Sequence, residues 1–556
     1  MPIDLPPAIP PQLADLRTIE RLATGSAPVA ATVGDYEVRV TGDHHLDERE
    51  VLRILAAAET PSQAILMLAA ATHREGYLLV TNYYTPRHNV VQVHAVRGRL
   101  TGLDGSRRIV GYFAGLEGED RLERAQFDRA RVMAKVYSER SGLDYSISYR
   151  HDEADPEAVT MVFNESLRVD YKPWQVMLQI GNQGDRFAGR YIADAGMKYN
   201  FADGTRVAAG YQRAFPELGE SLDTEDFQQF QVRADRPSRW GLYGLDASYA
   251  EYTQELGPVA VAAVTCSFSL LGTCLAFTSS STDTFFDLDA EILRVGLDGE
   301  QVLSSDVNHR FNLFQRAEYV DSRIEVNNSG EAIQDEVYTT LELGARYQSI
   351  HTLDENSRLQ WGLRASAVAG LGGDSGTLGS DDSSPAVADG KRSAEFVALK
   401  PEALIRMTWG ERKSLELNLK AQFADEQLPQ QQQWVLGGVD RLSAYLPGAL
   451  VGDNGYFARA QYSYRWNPGW ARITASAFAE YGAASFENAG RDPASDATRN
   501  FGSTTSIADA GIGLSVEFLN LELRAVAAES FHEDNIGDAA LARYEADFFA
   551  VLKATF

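Results

Sequence analysis

Long apolar runs, positive charge and cysteine are all scarce in this chain of 556 residues, and each scarcity removes a class of protein. A helical membrane protein needs several stretches of about 20 apolar residues. Only the stretch from Pro258 to Phe277 approaches that; it holds Ser, Thr and both cysteines, stands alone, and is expected to be a loop. Hydrophobic residues make up 44% of the chain, yet mean hydropathy is −0.26, so they are plentiful but dispersed. The net charge of −27 opposes nucleic-acid binding, which needs a basic face. The two cysteines, Cys266 and Cys274, are unrelated thiols in a reducing compartment. In an oxidising one they would close a short loop as a disulfide, contributing about 2–3 kcal/mol.

Signatures of catalysis are scarce too. Gly373-Asp374-Ser375-Gly376 spells a peptide familiar around a protease serine. A serine nucleophile also needs a histidine base and an orienting acid, and His351 and Asp354 precede it without any protease framework. The segment reads better as a loop. His44 and His45 are adjacent, so they point apart on an extended chain, and no third ligand recurs at a useful spacing for a metal. The glycine clusters lack the G-x-x-x-x-G-K-[ST] phosphate loop. No enzyme activity, metal or cofactor is expected. A secretory signal, a basic stretch followed by an apolar core, is also not seen at the start. An exported reading therefore expects a trimmed chain.

What is present divides into four parts. Residues 1–34 begin with five prolines (Pro2, Pro6, Pro7, Pro10, Pro11), followed by a short helical pattern at Leu13, Leu16, Ile19 and Leu22. So short a helix is marginal alone, and a flexible lead-in is expected. Residues 35–104 read as a compact α/β unit. YEVRV is a strand and Gly42 a turn; Asp47 and Glu50 fit a capping box. Thr60 and Gln63 repeat the device with Pro61 at the first helical position. Strands at 78–84 and 90–96 close the unit. Residues 105–170 resemble a shortened second copy: a strand at 107–113, a helix over 121–140, and strands at 143–151 and 158–163.

From about residue 174 to the end, segments of about ten residues alternate apolar with polar, separated by Gly, Asp, Asn and Ser. WQVMLQIG, TRVAAGYQRAF, SLELNLKAQFA and YFARAQYSYRW are examples. About sixteen such segments can be counted, an even number as a single-chain bacterial barrel requires. A soluble β-propeller would show blade repeats, and none is found. In the final segment, Phe548, Ala550, Leu552, Ala554 and the terminal Phe556 share one face. This resembles the assembly signal of outer-membrane proteins. The expectation is a barrel over 171–556 with lipid outside and a polar lumen inside.

Specific motifs narrow the class. Gly76-Tyr77, Pro86 and Gly98-Arg99-Leu100 match the pattern of a POTRA (polypeptide-transport-associated) domain. IGNQGDRFAGRY, with Asn182, Gly184, Arg186, Gly189 and Arg190, resembles the first barrel strand of the two-partner secretion transporters (TpsB proteins). The chain resembles that family over about residues 35–556. These proteins are relatives of the barrel-assembly proteins and export one large partner exoprotein. The resemblance implies a mainly β fold: a 16-stranded transmembrane antiparallel β-barrel preceded by two small α/β POTRA-like domains. It also implies an inward-folded loop at 430–455, whose tip in relatives is Val-Arg-Gly-Tyr/Phe, with the Arg meeting an acidic wall residue.

Here the tip is Leu442-Ser443-Ala444-Tyr445, without the arginine and the glycine. The wall motif survives as Phe478-Ala479-Glu480-Tyr481-Gly482, with Glu for the usual Asp. Gly511-Ile512-Gly513-Leu514 resembles a second wall motif, followed by Ser515 where Arg is usual. A buried carboxylate needs a counter-charge or water. Arg441 lies two residues before Ser443, on the same side of an extended loop, and is the expected substitute partner of Glu480. The alternative is a wet lumen with Glu480 solvated.

The resemblance implies an outer-membrane protein with its N-terminal domains in the periplasm. Its partners would be membrane lipid, the barrel-assembly machinery and a secreted exoprotein cargo. Unfolded cargo would add as a strand to a POTRA edge, formed by LLVTNYY or VVQVHAV, and then thread the lumen. The alternatives are a barrel insertase, which usually carries more POTRA copies, and a passive porin, which lacks them.

Overall fold

The computed structural model describes residues 7–24, 27–152, 154–184, 189–215, 227–270, 273–326, 331–373, 378, 392–487, 504–536, 541–542 and 544–556, with the side chains of 254–287, 331 and 333 excepted. The Cys266–Cys274 pair and the Gly373-Asp374-Ser375-Gly376 peptide, apart from Gly373, lie outside these described parts.

Two small sheets precede a large closed one. In the first sheet the strand order is Gln12–Leu13, Val80–Arg87, Val90–Arg97, Tyr36–Gly42, Val29–Val33. Helices α2 (Glu48–Ala57) and α3 (Pro61–Arg74) cover one face, burying Val51, Ile54, Leu55, Ile65 and Leu68 against Val38, Val40, Val91 and Val93. Both helix starts form as their sequences dictate. Asp47 accepts from the Glu50 N–H at 2.7 Å, and Thr60 from that of Gln63 at 3.2 Å. Gly42 has φ +92°, where a Cβ would strike the Ala95 backbone, so only glycine fits this turn.

The lead-in is not free. Gln12–Leu13 pairs in parallel with Tyr83 and Tyr84, helix α1 (Leu16–Leu22) follows, and Val29–Val33 completes the sheet. This corrects the expected cargo edge VVQVHAV, and the edge LLVTNYY is covered at Tyr83 and Tyr84. Val90–Arg97 is the central strand, and Gln12–Leu13 lies along the outer side of Val80–Arg87.

The second sheet has the order Arg99–Asp104, Ala158–Leu167, Leu143–His151. Arg99–Asp104 belongs here, paired in parallel with 158–162, so the division expected at 104/105 moves to 98/99. Residues 107–113 form helix α4 (Arg107–Phe113), not a strand. Ile109 and Phe113, four apart, are both fully buried, which is a helical spacing. Helix α5 (Arg124–Ser141) packs across the sheet through Phe127, Ala134 and Tyr137 and ends on Gly142 in the left-handed conformation.

Sixteen further strands form one closed antiparallel barrel, from Trp174–Gly181 to Phe548–Thr555. Outward positions are apolar and exposed, as at Leu178, Phe230, Leu363, Ile405, Ile512 and Leu552. Inward positions are charged and paired: Arg233 meets Asp298 at 2.7 Å, and Arg316 meets Asp246 at 2.8 Å. An oily outside and a polar inside make this a transmembrane barrel. Phe548 and Phe556 sit on the outer face, both about half exposed, while Phe549 is buried inward. Where it is described, the stretch from Pro258 to Phe277 is not a loop: its backbone continues the strands Gly241–Leu270 and Thr273–Ser305. Its scattered Ser and Thr residues are compatible with a strand as well as with a loop.

At one end the barrel turns are short, as at 238–241, 409–413 and 518–521. The second α/β unit docks on this end. Arg140 on α5 forms a buried ion pair with Asp235 and donates to the Gly204 carbonyl at 3.5 Å. Tyr137 donates to the Ala202 carbonyl at 3.3 Å and Tyr112 to that of Pro237 at 3.1 Å. Breaking a buried pair leaves an uncompensated charge, a loss of about 3 kcal/mol or more. Arg140→Ala should therefore loosen the unit from the barrel. Hydrogen exchange should rise along α5 and the 200–206 turn, while the barrel strands stay protected.

Candidate functional site

Between the wall strands Lys413–Ala424 and Asn454–Trp466 the chain folds back into the barrel. Trp434–Leu436 and Leu450–Gly452 pair as a small hairpin. Gly437 and Gly438, both at positive φ, begin its tip, and the Gly438 N–H donates to the Tyr445 carbonyl at 2.7 Å. Leu442, Ala444, Tyr445 and Leu446 are buried against the inward wall residues Phe457, Phe478, Ile507, Val526 and Phe549. The wall leaves room where it lacks side chains. A Cβ on Gly482 would stand 2.6 Å from Leu436 and 3.0 Å from Leu442. Gly511 makes room in the same way for the Phe478 ring, and a Cβ on Gly513 would reach Ser476 at 2.6 Å.

Polar contacts hold the same tip. The Ser443 N–H donates to Glu480 Oε2 at 2.7 Å, and the Ala444 N–H to Asp509 Oδ2 at 2.9 Å. Glu480 and Asp509 face each other on adjacent strands, and both are buried. On the other side of Glu480, in direct register, stands Arg459. Its Nη1 lies 2.6 Å from Glu480 Oε1 and 2.9 Å from Asp440 Oδ1. Arg524 reaches the same Asp440 oxygen at 2.5 Å. Tyr445 donates to Glu533 at 2.5 Å. Burial, reinforced by Glu533, pushes the Tyr445 hydroxyl well above its ordinary pKa and keeps it a donor. The Leu446 N–H donates to the Tyr544 carbonyl at 2.6 Å, and the Ala546 N–H to that of Ala444 at 2.9 Å. Farther back along the loop, the Gln430 N–H donates to buried Glu336, which pairs with Arg392 at 2.8 Å.

The cation beside Glu480 is thus Arg459 of the wall, while Arg441 is exposed. The loop has turned: Asp440 and Leu442 both take left-handed backbone conformations, so the rule that alternate residues share a side does not hold across 441–443. The loop supplies an acid and main-chain donors, while the wall supplies both arginines. Sequence reading missed Arg459, Asp440, Asp509 and Arg524. Arg459 could have been found as a charge on the inward parity of YFARAQYSY, level with Glu480.

No protein-family model matches the sequence, and no curated protein matches it. Solved structures do. CdiB from Escherichia coli superimposes with a TM-score of 0.63 at 14% identity, covering 97% of this chain and 96% of that one. This chain has the fold of CdiB. CdiB from Acinetobacter baumannii gives a TM-score of 0.58 at 12% identity, covering 98% of this chain and 93% of that one. Both likenesses to CdiB run through the α/β units as well as the barrel.

Two substitutions separate the arginines. Arg459→Ala leaves Glu480 and Asp440 without their shared cation, and should weaken loop seating by about 3 kcal/mol. In a planar bilayer, its conductance should exceed that of the unaltered protein. Arg441→Ala, at an exposed position, should change stability by less than about 0.5 kcal/mol and leave conductance as it was.

Proposed function

We propose that this chain is an outer-membrane transporter of the two-partner type, which passes one large unfolded exoprotein through its barrel. The observation that carries the reading is a lumen occupied by a seated loop, in a barrel that also carries two α/β units at one mouth. A passive diffusion pore needs neither feature. CdiB, whose fold the chain shares across nearly its whole length, is itself a transporter of this type. Short turns face the periplasm in bacterial barrels, which supports a periplasmic position for both α/β units.

Cargo capture follows from strand edges. Leu143–His151 is the outermost strand of the second sheet. A cavity of about 430 Å³ runs beside it, lined by Arg131, Lys135 and Ser138 of α5 and by Asp144 and Ile147 of the strand. An unfolded segment can add there by main-chain hydrogen bonds, which do not depend on its sequence. The barrel behind offers polar walls. The loop tip would leave its seat on Glu480 and Asp509 to open the path, and folding of the cargo outside would make transport directional. No step is catalytic.

Deletion of the protein should remove one large extracellular protein while other barrels keep their abundance. A Ser146→Cys variant carrying a photocrosslinker should trap that protein during export. General loss of barrels would point instead to an insertase, and slower solute uptake alone to a porin; either result would overturn the proposal.

A further inference from the structure

The short-turn end of the barrel carries a cation where lipid should be. On the outward face, Leu415 and Tyr462 stand side by side in register and are exposed, as lipid-facing residues must be. Two residues further toward the turn, the same face shows Trp409, Lys413 and Tyr464 in one cross-strand row. Alternate residues of a strand share a face, so Lys413 points outward between two aromatic side chains. Arg412, exposed, lies directly beyond it in the turn, and its carbonyl accepts from the Arg465 N–H at 2.8 Å; Arg465 itself, one residue from Tyr464, faces the other side of the strand. Trp466 packs on Tyr464 with ring centroids 4.7 Å apart, and Trp470 lies in the next turn.

Lys413 and Arg412 differ from their neighbours. Arg406 is neutralised by Glu416, and Arg472 by Glu517 at 2.8 Å. Among the described residues, Lys413 and Arg412 have no carboxylate partner, and exposed Glu411 in the same turn reaches neither of them. The row also marks a boundary. Six of the seven tryptophans lie toward this end of the barrel, all but Trp434 of the inward loop. Aromatic side chains of this kind settle at the headgroup level of a bilayer, and a lysine there extends its ammonium to the phosphates.

We propose that Lys413 and Arg412, framed by Trp409, Tyr464 and Trp466, bind the phosphate of an acidic glycerophospholipid in the leaflet on the side of the α/β units. The aromatic rings fix the depth of the lipid and the two cations select its charge. The site lies on the outer surface, near the wall strands that flank the inward loop. It rests on the reading of the barrel as membrane-spanning.

The test uses the full chain in nanodiscs holding equal amounts of phosphatidylglycerol and phosphatidylcholine, with retained lipids counted by native mass spectrometry. The unaltered protein should retain phosphatidylglycerol in preference. Each cation near a membrane surface attracts an acidic lipid about fivefold. Lys413→Gln should cut the preference by about that factor, Lys413→Arg should keep it, and adding Arg412→Gln should abolish it. Heat-dependent gel migration checks that each variant still forms a barrel; Arg358→Gln, an exposed cation at the same end, serves as control. Equal retention of the two lipids, or an equal drop with Arg358→Gln, would overturn the site while leaving the barrel intact. A protein that never enters nanodiscs would overturn the membrane reading itself.

Discussion

Every peptide group that crosses lipid must find its hydrogen-bond partner within the protein, and the closing seam is where that demand is hardest to meet here. The last strand pairs with the first through only five residue pairs, Val551 to Thr555 against Gly181 to Met177. Side chains and termini extend the stitching. Asn182 accepts from the Ala550 N–H at 2.6 Å and donates to the Phe548 carbonyl at 3.0 Å. At the opposite end, Phe556 and Val176 exchange backbone hydrogen bonds of 2.9 and 3.2 Å. Gly181 permits the close approach, since a Cβ there would stand 2.7 Å from the Ala550 carbonyl. The terminal residue is thus part of the closure.

Closure has a second effect. It divides the strand residues into an outside that lipid wets and an inside that must satisfy charges without bulk access at every point. On one wall the inside solves this with cross-strand ion pairs, such as Arg233 with Asp298 and Arg364 with Glu342. On the opposite wall the charges are covered by the inward loop. Glu480 and Asp509 sit together with one arginine beside them, an arrangement that repulsion between like charges opposes. Main-chain N–H groups of Ser443 and Ala444 supply the missing donors. Loop and wall therefore complete each other: the loop's amides need acceptors, and the wall's carboxylates need donors.

The parts of this architecture that follow a strict period were legible in the sequence. Alternation revealed the barrel strands, and the side-chain oxygens of Asp47 and Thr60 announced their helices. The parts that depend on distant partners were not. Arg107–Phe113 carries too few residues to separate a helical from an alternating pattern, and its register is set by the core around Phe127 and Phe163. Gln12–Leu13 joins a sheet only because Tyr83 and Tyr84 present an edge. The wall motif at Glu480 was visible as a motif, but its partner lies 21 residues upstream on another strand, where only cross-strand register brings the two together.

A clasp built from peptide N–H groups does not depend on which side chains the loop tip carries. Leu442-Ser443-Ala444-Tyr445 can offer the same two donors as many other tetrapeptides, provided the glycines before it let the chain turn and a residue at 445 fills the wall pocket. The lettering of the tip is then free to drift while its geometry stands still. A lineage using such a clasp would slip past searches keyed to a signature arginine, and would be recovered only by comparing shapes.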